Sequence, residues 1–95
     1  MPAYVILDIT VNDPDLFAEY KTLAPATIDA YGGTYLARGG KAEALEGDWK
    51  PNRIVILEFD SADTAKKWLD SPEYRDARAM RQKAAISHTI VVEGV

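Results

Sequence analysis

The segment Arg53–Phe59, with the sequence RIVILEF, is the strongest indication of the fold, because it is apolar on both sides of a predicted strand. Successive side chains of a strand point to opposite faces, so Ile54 and Ile56 lie on the face opposite to Val55 and Leu57. An antiparallel sheet that leaves one face to water normally alternates apolar with polar residues. We therefore expect both faces of this sheet to be covered.

The remaining chain predicts three further strands and two helical segments around this one, and the second segment consists of two helices. Residues 3–10 and 88–93 are apolar on both faces as well. In chain order, the predicted elements are a strand over 3–10, a helix over 14–31, a strand over 34–38 that continues extended over 42–46, the strand over 53–59, a short helix after Ser61, a helix from Pro72 to about Ala85, and a strand over 88–93.

Capping and breaking residues mark the ends of these elements. Asp13 is the expected N-cap of the first helix, with Pro14 at its first position. Pro25 is expected to kink that helix or split it, because proline lacks an amide hydrogen and clashes with the preceding turn. Gly32-Gly33 should end it in a left-handed conformation, and Gly39-Gly40 should form a bulge or bend.

The element order βαββαβ predicts one α+β domain over residues 1–95, with the ferredoxin-like arrangement and a four-stranded antiparallel sheet. This topology places the helices on one face of the sheet and leaves the other bare, although its residues are apolar. Two copies that pair through their bare faces would form a dimeric α/β barrel. The alternative is a monomer whose second face is only modestly apolar and is wetted at its edges.

Composition excludes several classes of protein. Hydrophobic residues at 47% and charged residues at 27% are typical of a globular domain. A net charge of −4 argues against nucleic-acid binding, and no apolar run approaches a membrane span of about 20 residues. Since the N-terminus has no secretory signal pattern, we expect a cytoplasmic protein. The absence of cysteine excludes disulfides, thiolate catalysis and cysteine-ligated metals.

Several segments of the sequence resemble the domain-of-unknown-function family numbered thirteen-thirty, within the dimeric α/β barrel superfamily. The resemblance covers essentially the whole chain and is carried by Met1–Ile6, Tyr31–Gly40, Leu45–Trp49, Arg53–Phe59, Trp68–Tyr74 and Val92–Gly94. It implies a ferredoxin-like protomer and a homodimer. The superfamily also contains cofactor-independent quinol monooxygenases, lactone isomerases, haem-dependent dismutases and ligand-binding regulatory domains, so the resemblance defines a fold more closely than an activity.

Charged residues within the apolar strands are the first candidates for a site. Arg53 and Glu58 are five positions apart and must lie on opposite faces, and Arg38 ends the neighbouring strand. In the functional interpretation Arg38 or Arg53 holds a carboxylate or enolate while Glu58 acts as base, and Tyr35 is a general acid or oxyanion donor. In the structural interpretation the same charges form ion pairs at the ends of the sheet.

The last helix and the aromatic residues supply further candidates. Tyr74, Arg78 and Arg81 share one helix face and could line an anionic pocket, or could instead pair with acidic residues. Trp68 and Tyr74 belong to an aromatic set that could form a flat slot for a planar substrate, as in the superfamily's quinol monooxygenases, or could simply be core. The aromatic set is completed by Tyr20, Tyr31 and Tyr35.

His88 is the single histidine of the chain, so it cannot form a zinc site alone. By analogy with haem-binding relatives it could be an axial ligand, but a surface histidine is the simpler interpretation. We therefore expect no metal and no cofactor. Neither a nucleophilic triad nor a phosphate-binding glycine loop can be assembled from the sequence.

Together these features predict a homodimer that binds a small aromatic or anionic molecule between sheet and helices. The enzymatic form of this hypothesis is a cofactor-independent monooxygenase or isomerase-like enzyme, with Tyr35 and Glu58 catalytic. Its ligand-binding residues are Arg38, Arg53, Trp68, Tyr74, Arg78 and Arg81. The alternative is a non-catalytic dimer that serves as a sensor or assembly module.

Overall fold

A computed structural model describes all 95 residues as one four-stranded antiparallel sheet with three helices on one face. In chain order the elements are β1 (Ala3–Val11), α1 (Pro14–Ala30), β2 (Thr34–Arg38), β3 (Arg53–Phe59), α2 (Ala62–Leu69), α3 (Pro72–Ala84) and β4 (Ala85–Glu93). The strand order across the sheet is β2-β3-β1-β4. The predicted α+β, ferredoxin-like arrangement is confirmed.

Each helix begins at a polar cap. The side chains of Asp13, Ser61 and Ser71 each accept a hydrogen bond from the amide three residues later, at 3.1, 3.1 and 3.2 Å. These bonds satisfy amides that the helix itself leaves without partners. Pro14 and Pro72 occupy the first helical positions, where a missing amide hydrogen costs nothing.

The first helix runs without interruption through Pro25, so the predicted split of this helix is wrong. Proline removes one backbone hydrogen bond, while the residues on either side hold the helix against the core. Ala24 and Ile28 are both buried there. Tertiary packing therefore outweighs the local breaking tendency of proline.

The helix α1 ends at Ala30, and Gly32 follows it in the left-handed conformation that the sequence predicts. Gly32 adopts φ +71°, which favours glycine, and its amide donates to the carbonyl of Asp29 at 2.9 Å. The amide of Gly33 donates to the carbonyl of Ile28 at the same distance. This pair of bonds forms a Schellman motif that turns the chain directly into β2.

Of two predictions around β2, one is confirmed in one of its alternatives and the other is wrong. Gly39 forms the predicted bend and not a bulge, because the register shift lies between Tyr35 and Ala37, with Leu36 as the extra residue opposite Ile56. Residues 42–46 are not a strand and belong to a loop over 39–52. After Gly39 the chain makes no further ladder bond with β3, because the φ of +72° at Gly39 turns it out of the sheet.

The two faces of the sheet differ in what covers them. The helix-covered face carries the core, with buried residues such as Leu7, Val55 and Leu57 packed beneath Phe17 and Trp68. The opposite face has no layer of its own within the chain, and we call it the open face. Its residues, from strand alternation and register, are Tyr4, Ile6, Asp8, Thr10, Thr34, Leu36, Ala37, Ile54, Ile56, Glu58, Ile86, His88, Ile90 and Val92.

The loop over 39–52 reaches back to the open face and is fastened there by hydrogen bonds. Trp49 Nε1 donates to Asp8 at 2.8 Å, and the amide of Asn52 donates to the other carboxylate oxygen of Asp8 at 3.0 Å. Asn52 also donates to Thr10.

The last strand starts at Ala85, three residues before the predicted start. No helix is both long and apolar enough to cross a membrane.

Candidate functional site

A small cavity lies between α1 and the strands β2 and β3 on the helix-covered face. Its volume is about 20 Å³, which is enough for one water molecule. Thirteen residues line it, of which ten are hydrophobic, and the remaining three are Lys21, Arg38 and Arg53. The cavity therefore combines an apolar and aromatic interior with three positive charges and no acidic residue.

Arg53 begins β3 and extends over the ring of Phe17, with its guanidinium carbon 5.5 Å from the ring centroid. Its Nε is buried and has no hydrogen-bond partner, and no carboxylate lies within 4.0 Å of the guanidinium. Gly39 makes this position possible, because a Cβ atom there would collide with the guanidinium. A half-buried charge is thus held in place without a counter-ion, which is costly unless a partner binds.

Arg38 lies beside Arg53 at the mouth of the cavity. Its guanidinium carbon is 4.8 Å from the centroid of the Tyr35 ring, and one terminal nitrogen donates to the carbonyl of Lys21 at 3.1 Å. Burial raises the pKa of the Tyr35 phenol, although the charge of Arg38 partly opposes that rise. Tyr35 is therefore a neutral hydrogen-bond donor at neutral pH rather than a base.

The inner side of the site is a cluster of buried aromatic residues. Trp68 is fully buried, stacks on Tyr74 with centroids 4.3 Å apart, and donates from Nε1 to Thr27 at 3.1 Å. The hydroxyl groups of Tyr20 and Tyr74 are 2.7 Å apart. Burial raises the pKa of Tyr20 well above its usual range, so this phenol stays protonated. Trp68 and Tyr20 line the cavity, whereas Tyr74 lies behind them.

Several predicted site residues lie elsewhere. Glu58 is on the open face, opposite Tyr4, and its carboxylate raises the pKa of that phenol. Arg53 and Glu58 therefore occupy opposite faces, as predicted. Glu58 does not contact Tyr35, Arg38 or Arg53 within the protomer. His88 is exposed on the open face, across from Asp8.

The predicted stripe on the last helix lies outside the cavity. Arg78 forms an ion pair with Asp70 at 3.0 Å and donates to the carbonyl of Leu69, which fits the structural interpretation of this residue. Arg81 is buried and donates from Nε to the Tyr74 hydroxyl at 3.3 Å. Neither arginine lines the cavity.

Three residues of the site were not among the predicted ones. Phe17 supplies the ring beneath Arg53, Lys21 supplies a third charge, and Gly39 leaves room for the guanidinium. Phe17 belongs to the predicted buried face of α1, so its place next to the sheet could be foreseen. The contact of Gly39 with Arg53 could not, because it depends on the bulge at Leu36 and on the turn that follows.

The chemistry available in the cavity is limited by its side chains. No group of three histidine, aspartate or glutamate side chains is arranged to hold a metal ion. The lining contains no carboxylate or histidine, so it offers no base at neutral pH. It can bind negative charge through Arg38 and Arg53, stack a planar ring and donate a hydrogen bond from Tyr35.

Solved structures share this fold at low sequence identity. A protein of unknown function from Rhodopseudomonas palustris, RPA0582, superposes with a TM-score of 0.78 at 20% identity, over 99% of this chain and 82% of that one. A dimeric ferredoxin-like protein of unknown function from Jannaschia sp. CCS1 has a TM-score of 0.73 at 10% identity, over 99% and 100%. SnoaB, a cofactor-independent oxygenase from Streptomyces nogalater, has a TM-score of 0.63 at 15% identity, over 99% and 93%.

These identities show the fold alone, since one fold hosts many functions. A search among functionally curated proteins found no match. A family described as Domain of unknown function (DUF1330) matches residues 2–95, which is nearly the whole chain. The chain therefore belongs to the DUF1330 family and has the ferredoxin-like α+β fold.

Proposed function

We propose that this protein is a homodimer that binds a small aromatic anion in the cavity of each protomer, between α1 and the sheet. The observation that carries the proposal is the guanidinium of Arg53, which is half-buried against an aromatic ring with no carboxylate partner. A planar carboxylate or enolate would supply the missing charge and accept hydrogen bonds in a fork geometry.

The other residues of the cavity select for a ring attached to that charge. Phe17, Tyr35 and Trp68 provide apolar and aromatic surface, while Arg38 provides a second guanidinium near the first. An aliphatic anion would satisfy the charge but leave this aromatic surface without a partner. A neutral ring would leave the charge uncompensated. An aromatic acid satisfies both.

Binding requires the cavity to open, because about 20 Å³ holds one water molecule and not a ring. The mouth can open by rotation of side chains. Arg38 is exposed at an edge strand, and Lys21 and Tyr35 are partly exposed. Long cationic side chains at a surface change rotamer on a nanosecond timescale. The ligand enters where these residues meet solvent, and its charge draws both guanidiniums onto it.

As an enzyme, the protein would be a cofactor-independent monooxygenase or isomerase-like catalyst that acts on a weak acid. The cavity offers no base, so the substrate would enter already ionised. Arg38 and Arg53 would then stabilise the anion, and Tyr35 would donate a hydrogen bond to the oxygen that carries its charge. The similarity of fold to the oxygenase SnoaB supports this class by analogy.

The dimer forms through the open face in this proposal. Several large apolar side chains of that face are exposed in the protomer, with Ile90 58% exposed and Ile86 59% exposed. A contiguous apolar face of this kind is typical of a protein interface. Two proteins with similar structures, from Jannaschia sp. CCS1 and Bacteroides fragilis, are described as dimeric.

The small size of the closed cavity favours a second candidate function, a non-catalytic dimer that acts as a sensor or assembly module. In that case Arg38 and Arg53 would fix the packing of α1 on the sheet, through their contacts with Lys21, Tyr35 and Phe17. The two candidates differ in whether an aromatic acid stabilises the protein.

Replacing Arg53 with methionine separates these candidates. Methionine keeps the apolar contact with Phe17 and removes a guanidinium that has neither a carboxylate partner nor a hydrogen bond to Nε. We expect the free energy of unfolding to change by no more than about 1 kcal/mol. Affinity for benzoate should fall at least about tenfold, because a charge-assisted contact is lost. Isothermal titration calorimetry measures the affinity for benzoate, and urea denaturation measures the free energy of unfolding.

Two controls make this test specific. Arg75→Met removes the same charge from an exposed position of α3 and should leave benzoate affinity unchanged. Benzamide, a neutral analogue of benzoate, should bind the natural protein far more weakly than benzoate does. Loss of stability in Arg53→Met with benzoate binding intact would favour the structural role of Arg53. The same conclusion follows if benzoate does not bind the natural protein at all.

A further inference from the structure

A second recess lies at the β4 edge of the sheet, between α3 and the helix-facing side of β4. Its volume is about 360 Å³, and it is lined by Arg78, Arg81, Gln82, Ser87 and Thr89 together with apolar residues. No residue of the lining is acidic. The recess shares no lining residue with the cavity at Arg53, so it is a separate feature of the molecule.

Two buried polar atoms of this recess have no hydrogen-bond partner. They are Nε of Arg78 and Oγ of Ser87. Buried polar atoms of proteins are nearly always paired, so two unpaired atoms on residues that line one recess require an explanation. Packing alone does not explain the unpaired hydroxyl of Ser87, because an alanine at this position would fill the space without leaving a hydroxyl unsatisfied.

The charge of Arg81 in the recess is also uncompensated. Arg81 is 4% exposed, and its one hydrogen bond goes from Nε to the neutral hydroxyl of Tyr74. The ion pair between Arg78 and Asp70 is the only one in the chain within 4.0 Å, so Arg81 has no carboxylate partner. Asp70 itself lies at the exposed end of that pair and does not line the recess.

We propose that this recess binds a tetrahedral oxoanion, either free phosphate or the phosphoryl group of a small molecule. Two guanidiniums and the hydroxyls of Ser87 and Thr89 supply donors from several directions, which suits a group with three or more acceptor oxygens. A flat carboxylate would use fewer of them. The recess is a local pocket in a chain of net charge −4, so its ligand is a small anion rather than a nucleic acid.

The test uses inorganic phosphate with the 95-residue protein at constant ionic strength. Thermal melting and calorimetric titration should show stabilisation by phosphate that chloride does not reproduce. Ser87→Ala removes a hydroxyl that bonds to nothing in the chain, so its melting temperature without ligand should not fall. Its phosphate affinity should drop about tenfold, since a hydrogen bond to a charged group is lost.

Arg78→Gln provides a second variant, which should also lose at least about tenfold in phosphate affinity. The matched control is Lys83→Gln, which removes one exposed charge from α3 outside the recess and should change phosphate affinity little. Stronger binding of phenyl phosphate than of phosphate would identify a phosphoryl group as the ligand, and the reverse would identify the free ion. The proposal is overturned if phosphate binds no better than chloride, or if Ser87→Ala and Lys83→Gln weaken it equally.

Discussion

Ile90→Asp is expected to convert the protein into a folded monomer. Ile90 of the edge strand β4 pairs with Ile6 on the open face and is 58% exposed in the protomer. An aspartate at this position is therefore solvated in the monomer. In a dimer through this face the same carboxylate would be buried without a partner. That burial costs several kcal/mol, so the dimer dissociation constant should rise at least about a hundredfold.

Analytical ultracentrifugation measures this change, and circular dichroism checks that the variant is folded. The control is Leu23→Asp, because Leu23 is also an exposed apolar residue, at 45%, but lies on α1 away from the open face. Leu23→Asp should remain dimeric. If Ile90→Asp stays dimeric at the concentrations at which the natural protein is dimeric, the copies associate through another surface.

Trp68→Ala is expected to cause the largest loss of stability among single substitutions in the core. The indole is fully buried, stacks on Tyr74 at 4.3 Å, lies 5.5 Å from Phe59 between ring centroids, and donates to Thr27. Truncation to alanine removes these contacts and leaves a cavity, which costs about 3–5 kcal/mol. Small domains have a free energy of unfolding of about 5–15 kcal/mol, so the variant should be close to unfolding.

The second tryptophan of the chain supplies the matched control. Trp49 is 61% exposed in the loop over 39–52, where it donates one hydrogen bond to Asp8. Trp49→Ala should lower the free energy of unfolding by no more than about 1 kcal/mol. Urea denaturation followed by circular dichroism compares the two variants without relying on tryptophan fluorescence. Equal losses in both variants would mean that Trp68 is not the central packing residue described above.

The fold followed from the sequence because its signals were local and agreed with one another. The continuous apolar run within residues 53–59, the caps Asp13 and Ser71 and the turn at Gly32 each specify one element, and their order leaves one common topology. The errors fell where tertiary structure overrides local preference. Packing of Ala24 and Ile28 keeps α1 intact at Pro25, and the turn at Gly39 withdraws residues 42–46 from the sheet.

The candidate site was predictable only in part. Strand alternation correctly separated Arg53 from Glu58, and the structure brings Arg38 to the same cavity as Arg53. The stripe of Tyr74, Arg78 and Arg81 suggested one shared pocket; Arg78 and Arg81 do line one recess, but Tyr74 does not, because helix spacing does not specify where a long side chain ends. Arg78 turns to Asp70, and Arg81 bonds to Tyr74 behind the cavity. Such choices depend on side-chain contacts between distant elements, which spacing within one element does not encode.

Native mass spectrometry of the purified protein with benzoate tests whether the protein is a homodimer that binds an aromatic anion, because one spectrum reports both assembly and binding. We expect a species of twice the 10.5 kDa protomer mass that takes up benzoate, one molecule for each protomer. Arg53→Met should give the same dimer without uptake. A natural protein that remains at 10.5 kDa, or a dimer that takes up no more benzoate than the Arg53→Met variant, would contradict the account.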